Sequence, residues 1–319
     1  MSEKMEVFAT NAAATARSAA MNVSPGQAQV GESFWKWATF SPALLLMLCL
    51  SVLPVANLFW MSLFNVTWSG GKAAWSSVGL AHYRDLFADG LFGVSLLNTF
   101  IFAAGAVFGQ MALGLLAALL CSRISRGRVL YRAIFILPIL IPGIVVGAIW
   151  KLMLNYDFGI INELTEMVGL DAWDWLGSSS TALMSVMIVD IWHWTPFCFL
   201  LFLAGLESLP QDVYEAAQID GANAWQEFFW ITLPMMSSTI AVTFAFRSVL
   251  AFKVFDEVYL LTGGGPGTAT QVVSFTLYQR FFSENRMGYG AAMSVAVIFV
   301  VSLMLVLSLS VKRRAGSTA

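Results

Sequence analysis

Twenty-five consecutive residues, Phe40 to Phe64, carry no charged side chain, and five more long, predominantly apolar stretches follow. An apolar run of about 20 residues crosses the roughly 30 Å hydrocarbon core as a helix, because lipid leaves every backbone N–H and C=O to be satisfied within its own segment. The remaining stretches lie near Val94 to Cys121, Tyr131 to Leu154, Thr181 to Leu206, Pro234 to Leu261 and Gly288 to Val311. They predict an all-α polytopic membrane protein of six transmembrane helices. With 58% hydrophobic residues, 11% charged residues and a mean hydropathy of +0.75, the chain is far from a soluble domain. Six spans and their loops account for the 319 residues, so a separate catalytic domain is not expected.

Residues 1–36 are rich in Ala, Ser, Asn and Gln and read as a disordered cytoplasmic tail without the apolar core and cleavage site of a secretory signal. The transmembrane domain is placed at 37–311, and 312–319 form a C-terminal cytoplasmic tail. Orientation follows the excess of basic residues in short cytoplasmic loops. Arg123, Arg126, Arg128 and Arg132 crowd the connection between the second and third spans, and Lys312, Arg313 and Arg314 follow the sixth. Parity puts both sets on one side, so both termini are expected in the cytoplasm. Between the third and fourth spans, Asp157, Glu163, Glu166, Asp171 and Asp174 stand without Lys or Arg, as suits an outer loop, and Tyr156, Trp173 and Trp175 read as interfacial anchors. Cys49, Cys121 and Cys198 are widely spaced within apolar stretches and read as three buried thiols. A net charge of −2 gives no reason to expect a nucleic-acid partner, whereas membrane lipid is an expected one.

The acidic segment from Glu207 to Leu233 interrupts this apolar pattern on the cytoplasmic side. Pro210 and Asp212 suit a helix first turn, Gly221 suits the left-handed residue that ends one, and Asn223 with Gln226 forms the pattern of a capping box opening a second helix. Two short helices around a bend make a compact knob. Ala216 and Ala217 keep one surface low in bulk, while Glu215 and Asp220 offer carboxylates to a basic partner. A lipid-surface helix normally carries Lys or Arg on its polar face, and none occurs from Glu207 to Trp230.

Charges inside the spans are costly, by about 2.5–3.5 kcal/mol at mid-bilayer unless paired or hydrated. Counting about 1.5 Å per residue from the two faces brings Asp190 and Arg247 to similar depth. They are expected to face the bundle interior, paired with each other or with a partner subunit, or touching solute. His193 and Trp194 share the helical face of Asp190 and either line a sugar path or pack the bundle around one buried imidazole. Lys253 and Glu257, four residues apart, are expected to pair, with Asp256 beside them. Pro42, Pro54, Pro138, Pro142, Pro196 and Pro234 lie within or at the edge of spans and predict kinks.

The glycine run Gly263 to Gly267 lacks the Gly-Lys-Ser/Thr ending of a phosphate-binding loop, and two histidines without a ligand spacing do not suggest a metal. On the residues alone, an ion-coupled secondary transporter using Asp190, Arg247 and Asp256, or a non-transporting membrane scaffold, stays open.

The sequence Glu215-Ala216-Ala217, Gly221 six residues on, and the closing Leu233-Pro234 resemble the coupling loop of ABC importer permeases. Phe255-Asp256-Glu257, the run Leu261 to Gly267, Gln271 through Phe282, and Gly159, Asn162, Trp175 and Leu176 are similar to the carbohydrate-type members of that family, of the maltose and glycerol-phosphate kind. The resemblance implies a type I importer permease core in the bacterial inner membrane, paired with a second permease subunit. It further implies a cytoplasmic ATPase dimer that uses ATP and Mg, docked on Glu215, Ala216, Ala217, Asp220 and Gly221, with Leu233-Pro234 transmitting its motion. A periplasmic or extracellular binding protein would deliver a sugar-like solute. No cofactor bound by this chain and no catalytic residue is implied.

Overall fold

The computed structural model describes residues 25–122, Ile124 and residues 127–315. Arg123 and Arg126 and the tail segments 1–24 and 316–319 lie outside the described residues. Four helical segments are long and apolar enough to cross a membrane singly: Trp37–Ser62, Gly90–Ser122, Ala182–Glu207 and Met287–Val306. Two bent pairs, Val129–Leu140 with Gly143–Met153 and Ala224–Met235 with Ser237–Ala251, bring the number to six.

The first helix, α1 (Pro25–Ser62), starts well before residue 37. Residues 25–36, expected as tail from their polar composition, therefore continue the span helix. A proline at the first helical position gives up no hydrogen bond, and the Gln, Ala and Glu that follow are competent helix formers. At the other end, α14 (Met287–Ala315) extends the sixth span past residue 311. Cys49 is exposed on α1, whereas Cys121 and Cys198 are buried, so two of the three thiols sit where expected.

An unpredicted hairpin follows the first span. β1 (Phe64–Ser69) pairs antiparallel with β2 (Lys72–Ser77), Val66 opposite Trp75. Its two-residue turn is Gly70-Gly71, both at positive φ, the backbone that tight hairpins require. The Asn285 side chain grips the Trp68 backbone, accepting its N–H at 3.3 Å and donating to its carbonyl at 2.7 Å. A short helix, α2 (Ala81–Ala88), leads into the second span, α3 (Gly90–Ser122).

The bundle core is built on α3 and the fourth span, α7 (Ala182–Glu207). Glycines let their backbones approach. A Cβ at Gly109 would lie 2.6 Å from Ile191 Cδ1, and one at Gly114 would lie 2.7 Å from Cys198 Cβ and 2.9 Å from the Phe199 nitrogen. Gly105 and Gly109 form the small-xxx-small spacing that favours close helix pairs in lipid. Phe102, Phe199 and Phe202 fill the space between, essentially fully buried.

The third span, expected as one helix kinked at its prolines, is broken there into separate pieces. It comprises α4 (Arg128–Ile136), a 3₁₀ turn Leu137–Leu140, and α5 (Gly143–Met153), with a 92° bend at the break. Pro138 and Pro142 explain this, since neither can donate to the helical ladder and each ring crowds the preceding turn. Beyond it, α6 (Ile160–Met167) carries Asn162, whose side chain holds the loop between the third and fourth spans. Asn162 accepts from the Trp173 N–H and Trp175 Nε1 and donates to the carbonyls of Tyr156 and Trp173.

The fifth span also departs from expectation. α8 (Gln211–Ile219) and α9 (Ala224–Gln226) precede a π-helical stretch Glu227–Thr232, α10 (Leu233–Met235), and then α11 (Ser237–Ala251) after a 64° bend. The helix stops at Ala251 rather than at Leu261, and the non-helical residues 252–255 lead into a separate α12 (Asp256–Leu261). A glycine loop then leads to α13 (Val273–Tyr278).

Candidate functional site

Two regions hold the candidate residues. The first lies around α7, where two polar ties stand one helical turn apart. Asp190 is 2% exposed and Arg247 1% exposed, and Arg247 Nη2 donates to Asp190 Oδ2 at 2.9 Å. The expected intramembrane pair therefore forms within this chain. Gln110 on α3, which sequence reasoning missed, completes it. Its Nε2 donates to Asp190 Oδ2 at 2.7 Å and to the Asp190 carbonyl at 3.0 Å, while its Oε1 accepts from Arg247 Nε at 2.5 Å. Three helices are thus fastened by one ion pair bridged by an amide, which is how a charge is tolerated away from water. An amide deep within the long apolar run from Phe100 to Cys121 was the available signal. Trp194 contributes its ring face, 4.8 Å from the Arg247 guanidinium carbon.

One turn on, His193 is 4% exposed. Its Nδ1 lies 3.0 Å from Glu257 Oε1 and its Nε2 3.0 Å from the Ile141 carbonyl oxygen. Glu257 thus pairs with His193 and not with Lys253, the expectation from spacing. The helix ends at Ala251, so residues 253 and 257 do not share one continuous helical face. Ile141 is the residue at the break of the third span, where Pro142 lacks an N–H. Asp256 stays outside both ties and packs against Gly143, where an added Cβ would come within 2.9 Å of its Oδ2. A cavity of about 200 Å³ opens here, lined by Asp190, His193, Trp194, Lys253, Asp256 and Glu257. The structure therefore brings all five in-span candidates, Asp190, His193, Trp194, Arg247 and Asp256, into one neighbourhood.

The second region is the loop elbow. Gly221 has φ of +78°; the Ala222 N–H donates to the Ala217 carbonyl at 2.9 Å and the Gly221 N–H to the Gln218 carbonyl at 3.1 Å. This is the paired capping pattern that glycine enables. The capping box is present too, with the Asn223 side chain accepting from Trp225 and Gln226 N–H groups and Gln226 Oε1 accepting from the Asn223 N–H. Glu215, Ala216, Asp220 and Gly221 are exposed. Ala217, expected on the outward surface, is 8% exposed and faces its own chain, because the α8 face that includes Tyr214, bonded to Thr232 at 2.9 Å, turns inward. Leu233 and Pro234 lie in α10, just before the bend at Met236. The Arg132–Glu207 ion pair joins the basic connection to the start of the acidic loop, so both lie at one end of the bundle.

At the other end, Asp89 receives the Tyr289 hydroxyl at 2.7 Å and Arg280 Nη2 at 3.2 Å. Burial alone would raise the Asp89 pKa, but the hydrogen bonds from Tyr289, Leu91 and Phe92 and the Arg280 charge hold it below the usual carboxylate range. Among the described residues no cluster of metal-ligating side chains occurs.

A helical bundle with broken spans, a buried ion cluster and an exposed elbow at one end describes a multi-pass membrane protein. Residues 110–315 match the model of the binding-protein-dependent transport system inner membrane components, and the chain belongs to that family. It is 37% identical over 273 residues to the trehalose/maltose transport system permease protein MalF of Thermococcus litoralis, covering 85% of this chain and 91% of the relative. It is 33% identical over 263 residues to the sulfoquinovosyl glycerol transport system permease protein SmoG of Agrobacterium fabrum, covering 82% and 85%. In fold it is similar to a chain of a bacterial alginate ABC transporter crystallised with an alginate pentasaccharide-bound periplasmic protein, with a TM-score of 0.79, 23% identity and coverage of 90% and 96%.

Proposed function

We propose that this chain is the permease subunit of an ATP-driven importer that carries a sugar or sugar-like solute across the bacterial inner membrane by alternating access. The observation that carries the reading is the exposed, doubly capped elbow at Gly221, which offers Glu215, Ala216 and Asp220 to a partner beyond the bundle. In this reading a cytoplasmic ATPase dimer, using ATP and Mg, docks on the elbow, and Leu233-Pro234 pass its displacement into α11. Both termini lie in the cytoplasm, a second permease subunit completes the pathway, and an external binding protein presents the solute. The named relatives transport trehalose and maltose or sulfoquinovosyl glycerol, which supports a carbohydrate class. The cavity beside His193 and Trp194 suits it, because an aromatic face stacks on sugar C–H groups while carboxylate, ammonium and imidazole exchange hydrogen bonds with hydroxyls. Reconstitution of the full complex with its binding protein tests the reading: uptake of labelled solute should require ATP inside the compartment holding the elbow. Uptake driven by an ion gradient without ATP would overturn it.

A further inference from the structure

Two groups of helices meet at α7. On one side, α3 and α11 are fastened to it through Gln110, Asp190 and Arg247. On the other, α5 and α12 lie against each other without intervening bulk, since a Cβ at Gly147 would come within 2.9 Å of Leu260 Cβ and one at Gly143 within 2.9 Å of Asp256. His193 ties this second pair to α7, reaching the chain just ahead of α5 through the Ile141 carbonyl and α12 through Glu257. Both joints around that pair are non-helical: the break at Ile141-Pro142 and the turn at 252–255. The cavity lies at this meeting, with His193 and Glu257 in its wall.

The chemistry of the tie fixes its proton count. A carbonyl oxygen only accepts, so Nε2 donates to Ile141, and one further proton lies between Nδ1 and the Glu257 carboxyl. Imidazolium with carboxylate, or imidazole with carboxylic acid, hold the same number, and either way the couple is neutral and both ring nitrogens are bonded. Parting it unaided strands a buried polar group on each side, at the full desolvation cost. A hydroxyl avoids this, because it donates to Glu257 and accepts from His193 with the same oxygen.

We propose that the His193–Glu257 couple, anchored on Ile141, is a latch holding the α5–α12 pair against α7, and that a polyhydroxyl solute opens it by taking over both hydrogen bonds. The proposal rests on the permease reading for its role in transport, but the latch itself is testable without an ATPase. A cysteine in place of Leu250 in the cavity wall, with Cys49, Cys121 and Cys198 replaced by Ala, reports opening through its rate of maleimide labelling in the assembled complex. His193→Phe and Glu257→Ala should each raise that rate at least fivefold, and Glu257→Gln, which still donates to Nδ1, should stay within twofold of the parent. Equal labelling in all variants, or release by Glu257→Gln as large as by Glu257→Ala, would overturn the latch. If His193→Phe reduces the yield of assembled protein, the Glu257 comparison decides, because both variants leave the imidazole in place. Loss of the permease reading shows separately, as ATP-independent uptake in the parent complex.

Discussion

Asp190 and Arg247 illustrate how much one buried pair demands of its neighbours. Neither is exposed enough for water to compensate the loss of the other, so Arg247→Met should cost about 3–5 kcal/mol by stranding the carboxylate. The expected result is poor recovery of assembled protein, read as a fall in detergent-solubilised yield and Tm. Exchanging the two charges, Asp190→Arg with Arg247→Asp, should recover part of the loss, and the absence of any recovery would show that Gln110 fixes the orientation of the pair. Gly221 is a different kind of residue. An added Cβ there meets nothing within 4 Å, so the penalty of Gly221→Val comes only from its φ of +78°, about 1–3 kcal/mol held in the elbow. Protein in the membrane should be near the parental amount while ATP-driven uptake falls at least tenfold.

Among the elements, the crossing of α3 on α7 separates intrinsic propensity from packing within one helix. Gly93 has open space, so Gly93→Ala should gain up to about 1 kcal/mol through helix propensity. At Gly114 the same change meets the Cys198 and Phe199 backbone, which cannot give way as a side-chain tip can, and should lose about 1–3 kcal/mol. Opposite Tm shifts for the two variants would confirm the close approach, and matching shifts would refute it. The tie of Asp89 with Arg280 and Tyr289, at the end of the bundle away from the elbow, predicts a pH effect. Folding lowers the Asp89 pKa, so its stabilisation is fully present above the unfolded value of about 3.9 and is lost as pH falls through the lower folded value. Asp89→Asn should remove that acid-dependent component from thermal unfolding profiles and lower Tm at neutral pH, since hydrogen bonds to charged groups contribute about 1.5–3 kcal/mol.

For the whole molecule, the two neighbouring alanines of α8 separate the fold from assembly. Ala216 is exposed and Ala217 buried. Ala216→Trp should leave the isolated chain within about 0.5 kcal/mol of its parent and abolish co-purification of the ATPase, whereas Ala217→Trp should destabilise the chain itself by overpacking. Retained ATPase with Ala216→Trp would remove the elbow from the docking surface. Legibility followed the same division. The six apolar stretches, the glycine-ended helix, the capping box and the Asp190–Arg247 level were readable because period, cap chemistry and rise per residue are local rules. The 92° break of the third span was not, although Pro138 and Pro142 announced a kink, because hydropathy measures how apolar a segment is and carries no direction.

What the sequence by itself determined is the medium this chain occupies, the number of crossings, and the existence of an acidic elbow with its own stops and starts, all set by short-range composition and backbone chemistry. The tertiary structure alone decided the partners. Glu257 chose His193 over Lys253, four residues away, because the helix ended at Ala251 and α12 started afresh. Gln110, eighty positions from Asp190, became the third member of a cluster because glycines let α3 and α7 close to contact. Distances along a chain say which residues can share a helix face; which faces meet depends on breaks and close approaches that only the packed bundle contains.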